Sequence, residues 1–415
     1  MPKFAMPLTV RRLNWTDIAL GSPAVPKGTM ALHRSLTSGL CRRASDPPGT
    51  FWGVGDRGPN IKPKDAAARY GLDDLAPLAR LEGAKIMPMP GIGPALARFR
   101  LVDDRIEVEA VLPLRTPAGV LLDGLPPPAI AGAETEPMFA LDGTALPTSS
   151  RGADTEGIAA RADGMFWIGE EYGPSLLLVD EHGTVHQRLV AEGSADQFAG
   201  GGIPVTAVLP AIALARKLNR GFEALAISAD GTTLFAAFQS PLAHPDRAAH
   251  ESSDLVRIWA LDARTGRIRA EYAYPIDPPS HFLRDSEAGP VFASDVKISE
   301  LAVLPGGDLL VLERVTLSTH LYRITLPQPL PSALLDPSIR PTLEQLGQAG
   351  CSTAGLPVAD KKLLFSSDIS RGICGDLEGL LVLGAEGLLL SNDSDYGTEG
   401  AATQFWQLGG LALAD

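Results

Sequence analysis

Apolar residues along the chain fall into strand-sized runs bounded by Gly, Pro, Asn and Asp, and the same order of runs recurs. A short step, acidic then small or aliphatic, reads EGIA at Glu156, EALA at Glu223, ELAV at Glu300 and EGLL at Glu378. Each step is followed by a turn and a second apolar run: MFWIGEEYG, TTLFAAFQSP, DLLVLERV and LLLSNDSDYG. The intervening Asp-Gly and Gly-Gly pairs tolerate positive φ and so favour tight hairpins. A degenerate fifth copy comes earlier, SGLC at Ser38 and then TFWGVGDRG.

Further runs follow each pair, such as SLLLVD and VHQRLV, or DLVRIWALD and RIRAEYAYPI. Their Val, Ile, Leu and aromatic content predicts antiparallel strands, so each unit is a four-stranded meander. The unit at Glu378 runs out of chain one strand short, and the N-terminal segment LTVRRLNWTDIAL is a spare strand. Using it there closes a ring and protects the sheet edges. The pattern therefore predicts an all-β fold, a single β-propeller of five four-stranded blades over 1–415, or six if an insertion hides another meander. A pair of β-sandwiches would explain the turns but not the recurring acidic step. The units are longer than the about 40–50 residues of compact blades. The excess falls in stretches near 60–94, 116–150, 191–219 and 327–357, read as long loops; 206–219 reads as a short helix.

Composition agrees with this reading. With 43 Gly and 35 Pro in 415 residues, a helical bundle is disfavoured. A balance of 36 basic against 49 acidic residues, net −13, argues against a nucleic-acid partner. No apolar stretch approaches the ~18 residues of a membrane helix, so no membrane partner is expected. The start, MPKFAMPLTVRRLNW, contains no signal-like apolar run. As written the chain reads as cytoplasmic; as a trimmed mature form it would be periplasmic or secreted. Cys41, Cys351 and Cys374 give no disulfide framework and no zinc spacing, though Cys351 and Cys374 could pair in an oxidising compartment.

The first strand of a propeller blade lines the central channel. If the acidic steps begin those strands, Glu156, Glu223, Glu300 and Glu378 converge on one axis, where like charges repel. A divalent cation resolves that repulsion, and oxygen-only ligands favour calcium over zinc. The plainer alternative is a Glu that caps backbone amides of the neighbouring blade. The second runs also end in polar residues: Asp56-Arg57, Glu170-Glu171-Tyr172, Gln239, Glu313-Arg314, and Asn392-Asp393 with Asp395. Arg151, Arg220 and Lys297 stand just before the acidic steps. Such cations suit anionic oxygens, or else inter-blade salt bridges. Other chemistries lack their motifs: there is no GxSxG elbow, no HExxH, and GGGIP at 200–204 has no Lys-Ser/Thr behind it. Of the seven histidines, only His320 lies just beyond a proposed site strand.

GDRGPN at 55–60, DTEGIA and MFWIGEEYGPSLLLVD within 154–180, and NRGFEALAIS with FAAFQSPL within 219–242 occur in this order. KISELAVL with LLVLERV and then DLEGLLVL with LLLSNDSDYG follow. Together they resemble the phytase-like β-propeller family, described as esterase-like activity of phytase. The resemblance implies a propeller and metal-assisted phosphoester hydrolysis. Ser38 departs from it, since the other steps carry Glu. On this reading Glu156, Glu223, Glu300 and Glu378, helped by Asp154 and by Asn392 or Asp393, hold one or more Ca2+ or another divalent cation. Arg57, Arg151, Arg220, Lys297 and Arg314 grip the phosphate, and Glu170 or Glu171 is the general base toward water. The expected partner is a small anionic ester, with a monomer as the default state. A carboxylic-ester or lactone hydrolase, and a non-catalytic propeller with structural calcium, are the competing readings.

Overall fold

The computed structural model describes residues 7–131, 134–348, 355–385 and 387–413. Five antiparallel sheets radiate from a common axis as a five-bladed propeller. Blade 1 runs outward through Gly39–Cys41, Thr50–Gly55, Ala95–Val102 and Arg105–Pro113. Blade 2 runs through Thr155–Ala160, Phe166–Glu170, Ser175–Val179 and Val185–Ala191. Blade 3 comprises Phe222–Ile227, Thr233–Phe238, Leu255–Asp262 and Ile268–Pro275. Blade 4 comprises Lys297–Val303, Leu309–Arg314, Thr319–Thr325 and Asp360–Ser366. Blade 5 takes Leu377–Gly384, Gly387–Asn392 and Phe405–Gly409 from the C-terminal segment. Its outermost strand is Thr9–Arg12, paired from Thr9↔Gly409 to Arg12↔Trp406. The ring is thus closed by the N-terminal strand, as the missing strand of the last repeat predicts.

Large apolar side chains fill the spaces between blades. Phe222, Phe238 and Trp259 form an edge-packed trio with centroids 4.7–5.7 Å apart. Trp52 of blade 1 meets Phe166 of blade 2 at 4.9 Å, and Phe51, Phe99 and Phe405 join blades 1 and 5. Near the axis the first strands approach so closely that small residues are required. A Cβ on Gly39 would lie 2.5 Å from the Glu156 carbonyl oxygen, and one on Gly157 would lie 2.6 Å from that of Glu223.

The insertions carry structure of their own. Within 60–94 lie a helix, Pro63–Tyr70, started by its N-terminal Pro and ended by Gly71 at φ 72°, and a 3-10 segment, Asp73–Arg80. Residues 206–219 are not a helix throughout. Val205–Leu209 adds a fifth, parallel strand to blade 2, and Pro210 precedes a 3-10 turn, Ala211–Ala215. The β-rich run TAVL pairs with the neighbouring edge strand instead of winding alone, because short isolated helices are weak. The insertion at 327–357 is pinned by a short helix, Leu343–Leu346, whose Glu344 is fully buried against Arg257 of blade 3. Cys351 lies outside the described residues, and with it the Cys351–Cys374 pairing.

Candidate functional site

In blades 2 to 5 the first strand begins with a bulge that sets the chemistry at the channel mouth, whereas Gly39–Cys41 of blade 1 pairs without one. In blade 3, Phe222 pairs with Phe238 and Ala224 with Ala237, so Glu223 is the extra residue. In blade 5, Glu378 is extra in the same way, between Leu377 and Gly379. In blade 2, Glu156 and Gly157 fall within the bulge. A bulged residue leaves the ladder and its side chain is re-aimed. In blade 4, Ile298 pairs with Glu313 and Glu300 with Leu312, so the extra residue is Ser299, not Glu300. The repeat is therefore shifted by one residue from the reading ELAV, and one step along a strand reverses the side chain. Glu300 occupies the place of Gly379 and Ala224. Its carboxylate accepts the amides of Leu40 at 3.2 Å, Leu225 at 3.2 Å and Leu301 at 3.0 Å. It ties three blades together at the axis and is not brought to the other acids.

The remaining carboxylates converge. Asp56, Asp154 and Glu156, then Glu156, Glu378 and Asp393, then Glu156, Glu171 and Glu223 form three triads, each with oxygens within 4.8 Å of one another. All seven residues are buried and Glu156 belongs to every triad. Burial, reinforced by Glu171, pushes the Glu223 carboxyl up to about 8. Burial also raises Asp154 to about 7 against the pull of Arg57. Glu156 and Glu378 are raised well above the usual range, by burial and then by neighbouring acids, though Arg314 tempers Glu378. Oε2 of Glu223 is buried without a hydrogen-bond partner. Calcium takes oxygens at about 2.4 Å, which allows oxygen–oxygen separations up to about 4.8 Å. The donor set thus fits a hard divalent cation.

All of these acids but Asp154 line a cavity of about 440 Å³ at the mouth, together with Arg57, Arg220, Lys297 and Arg314 among other residues. The four cations differ in availability. Arg57 bonds Glu136 at 2.6 Å, contacts Asp154 and Asn219, and lies 5.0 Å over the Tyr172 ring. Arg314 bonds Ser299 at 2.7 Å and Asp376 at 2.8 Å, and pairs with Glu378 of the next blade. Both are inter-blade clasps. Lys297 and Arg220 have no ion pair among the described residues, and Nε of Arg220 is buried without a partner. Burial, then the nearby Arg314 and Arg220, lowers Lys297 to about 8. Of these four, Lys297 and Arg220 are the ones with charge left for a ligand; Lys85, also on the cavity wall, donates to Asn60 at 3.1 Å.

Other predicted site residues are placed elsewhere. Glu170 is consumed by its own turn, accepting Tyr172 N–H at 3.0 Å, Gly173 N–H at 3.2 Å and Ser175 Oγ–H at 2.6 Å. Asn392 braces a loop through the Ala402 carbonyl and the Gln404 amide. Arg151 is 41% exposed, faces Asp123 at 3.5 Å and lines a separate surface hollow. Asp393 does reach the cavity, held by Ser35 at 2.5 Å and Ser38 at 2.9 Å. Ser38, the residue that breaks the acidic repeat, thereby orients an acid from another blade. Glu171 is held by the Gly221 amide at 3.0 Å, and a Cβ on Gly221 would lie 2.4 Å from Glu171 Cα. Gly221→Ala is expected to displace Glu171 and weaken divalent-cation binding about 10- to 100-fold, as loss of an orienting partner does, measured by calcium titration.

Several lining residues carried no assigned role in the sequence: Asp56, Lys85, Asn219, Asp376 and Asp395. Asp56 and Asp395 sit inside the strand-end motifs and were legible as polar ends. Lys85 comes from an insertion, whose docking leaves no local signal. Asn219, Asp376 and Asp395 have left-handed backbone, with φ of 56°, 47° and 47°. Such strain concentrates where a site needs it.

His320 faces away from this cavity. It stacks on Phe282 at 4.7 Å and lies between Asp368 at 3.2 Å and Asp277 at 3.6 Å, with Tyr322, His281, Glu313 and Lys361 around them. Burial works against its charge, but Asp277 and Asp368 outweigh burial and raise its pKa. The stabilisation is therefore complete below the ordinary histidine value of about 6.5 and is lost as pH rises through the folded value. The two aspartates are depressed, so their share persists at pH 5.5. His320→Gln is expected to cost about 1.5–3 kcal/mol at pH 5.5 and less at pH 9, checked by thermal unfolding at both.

Fold and site together define a class: a five-bladed propeller with a buried carboxylate cluster, able to hold a metal, at one mouth of its channel. The family model for phytase-like proteins, described as esterase-like activity of phytase, matches residues 37–396, and the chain belongs to that family. A curated relative from Arthroderma benhamiae, described as an uncharacterized secreted protein, is 28% identical over 180 residues. That match spans 39% of this chain and 34% of the relative, about a third of its length. The Malassezia sympodialis allergen Mala s 1 aligns over 94% of this chain and 81% of its own, at 11% identity and TM-score 0.37. The calcium-binding protein regucalcin from Agrobacterium tumefaciens aligns over 97% and 95%, at 12% identity and TM-score 0.35. Likeness at that level says nothing of activity. Among the described residues, no helix is long and apolar enough to cross a membrane.

Proposed function

We propose that this protein is a calcium-dependent hydrolase of a small phosphate ester. The observation that carries the reading is the set of overlapping carboxylate triads beside two unpaired cations in one cavity. Glu156, Glu171, Glu223, Glu378, Asp393, Asp56 and Asp154 are the residues that would hold the cation. When bound, calcium supplies positive charge that stabilises the developing negative charge and acidifies water. Lys297 and Arg220 orient the phosphate oxygens, while Arg57 and Arg314 keep the blades in register around them. Glu171, which offers one carboxylate oxygen to the cation, is through its other oxygen the remaining candidate base; Glu170 is withdrawn from that role. Hydrolysis joins the water oxygen to phosphorus as the ester P–O bond breaks, and the proton leaves with the alcohol. The family description favours a hydrolase, and the relative's description as secreted favours an exported protein over a cytoplasmic one. The protein acts as a monomer on a soluble ester, with neither nucleic acid nor membrane as partner.

The test is a panel of phosphate and carboxylate esters, assayed with calcium and after exhaustive chelation. Phosphate-ester turnover that disappears with chelator is expected. Undiminished turnover in chelator would refute the metal requirement. Turnover confined to carboxylic esters or lactones would select the second reading, in which the same cation polarises a carbonyl. Thermal stabilisation by calcium without turnover would mark a binding propeller.

A further inference from the structure

Next to the central cavity lies a second one of about 510 Å³ with different chemistry. Lys217, Leu218 and Arg247 line both, so the two are adjacent compartments of one mouth. Among the described residues, the aliphatic side chains of the central cavity besides the alkyl stems of its cations are Ile61 and Leu218. The annex instead presents Ile130, Leu214, Leu218 and Ala243, all half-buried, and its one acid apart from Glu82 among the described residues is the exposed Glu134. Its walls come from different insertions: 116–150 brings Ile130, and 191–219 brings Leu214 and Leu218. Arg216 at its edge is spent on the Tyr172 carbonyl, bonded from Nε at 2.9 Å.

The partition between the compartments is an ion cluster in which Glu82 meets Lys217 and, at 3.3 Å, Arg247. The Glu82 and Arg247 side chains are 49% and 62% exposed. Exposed pairs of this kind contribute little, so side-chain rotation opens the partition at small cost. Both cavities are within the size range of small-molecule sites.

We propose that the annex receives the apolar alcohol portion of the ester whose anionic end sits in the central cavity. The ligand class is thus a monoester joining one phosphate to an aliphatic group, rather than a wholly polar polyanion. This inference rests on the phosphate-ester reading above, and its test separates the two. Non-hydrolysable n-alkylphosphonates from methyl to octyl are titrated into the calcium-loaded protein by calorimetry. Affinity is expected to rise about two- to fourfold per added methylene until the annex is filled. In Ile130→Asp, which touches the annex and not the carboxylate cluster, the rise is expected to flatten while methylphosphonate binds as before. Leu214→Asn serves as a second variant, with thermal unfolding confirming that each is folded. Equal affinity for all chain lengths in the unaltered protein would overturn the annex assignment and leave the anion site standing. A rise that persists in both variants would place the alkyl group elsewhere and also overturn it. Binding of no phosphonate, methyl included, would overturn the phosphate reading and the annex with it.

Discussion

Glu156→Gln is expected to abolish calcium binding and to lower ester turnover by about 10²–10³-fold. Glu156 is common to all three carboxylate triads, so no pairwise substitute preserves the site. A cation stabilises a developing oxyanion by several kcal/mol, and each 1.36 kcal/mol is a factor of ten in rate. The variant separates the two consequences of that cluster. Without metal, removing one of several mutually repelling buried acids should leave the melting temperature unchanged or higher. With calcium, the unaltered protein should gain about 2.7 kcal/mol at a hundredfold excess over Kd, and the variant should gain none. Calorimetric titration and thermal unfolding with and without calcium check both. Wild-type calcium affinity in Glu156→Gln would remove the basis of the assignment. Glu300→Gln is the matched control, because Glu300 meets only the backbone amides of Leu40, Leu225 and Leu301. It should bind calcium normally and lose stability instead.

Arg257→Met is expected to destabilise the fold by about 3–5 kcal/mol without altering the catalytic parameters of the folded fraction. Arg257 is fully buried in the third strand of blade 3. It bonds Glu271 at 2.7 Å and Glu344 at 2.7 and 3.0 Å, and donates to the Leu334 carbonyl at 3.1 Å. Trp259 Nε1 also donates to Glu271 at 2.8 Å. Removing the guanidinium strands two buried carboxylates, and that loss exceeds the net worth of the intact cluster. Glu344 and Leu334 belong to the 327–357 insertion, so the variant should also release that segment to proteolysis. Chemical denaturation measures the loss, and limited digestion locates it. Replacing Arg257, Glu271 and Glu344 together by apolar residues should recover much of the stability. A single variant as stable as the parent would show that the triad does not anchor the insertion.

The architecture was written plainly in the chain. Alternating apolar runs, hairpin turns and a last repeat lacking one strand point to four-stranded meanders, five or else six, closed by the N-terminal segment, because strand pairing reads a local period of two; the structure has five and closes them with residues 9–12. The acidic content of the mouth was legible as well, since Glu156, Glu223 and Glu378 recur at one step of the repeat. The error at Glu300 is a matter of register. KISEL and GFEAL align by their acids one way and by their bulges another, and only the paired second strand shows which residue is extra. Glu170 and Glu171 are equally adjacent in sequence, yet the turn at Tyr172 and Gly173 consumes the first and leaves the second in the cavity.

Which cations are free was beyond the reach of any local pattern. Arg57, Arg220, Lys297 and Arg314 all flank acidic steps, but a guanidinium is spent or available according to carboxylates contributed by other blades. Glu136 arrives from an insertion to occupy Arg57, and Asp376 and Glu378 cross from blade 5 to occupy Arg314. The linear sequence thus settles the blades, their closure and the acidic character of the axis, because these follow from short-range periodicity. The assembled ring decides which acids share a cation, which bases keep their charge for a ligand, and that an apolar annex adjoins them. Those outcomes depend on contacts between segments far apart in the chain, where distance, burial and neighbouring charge are set by packing.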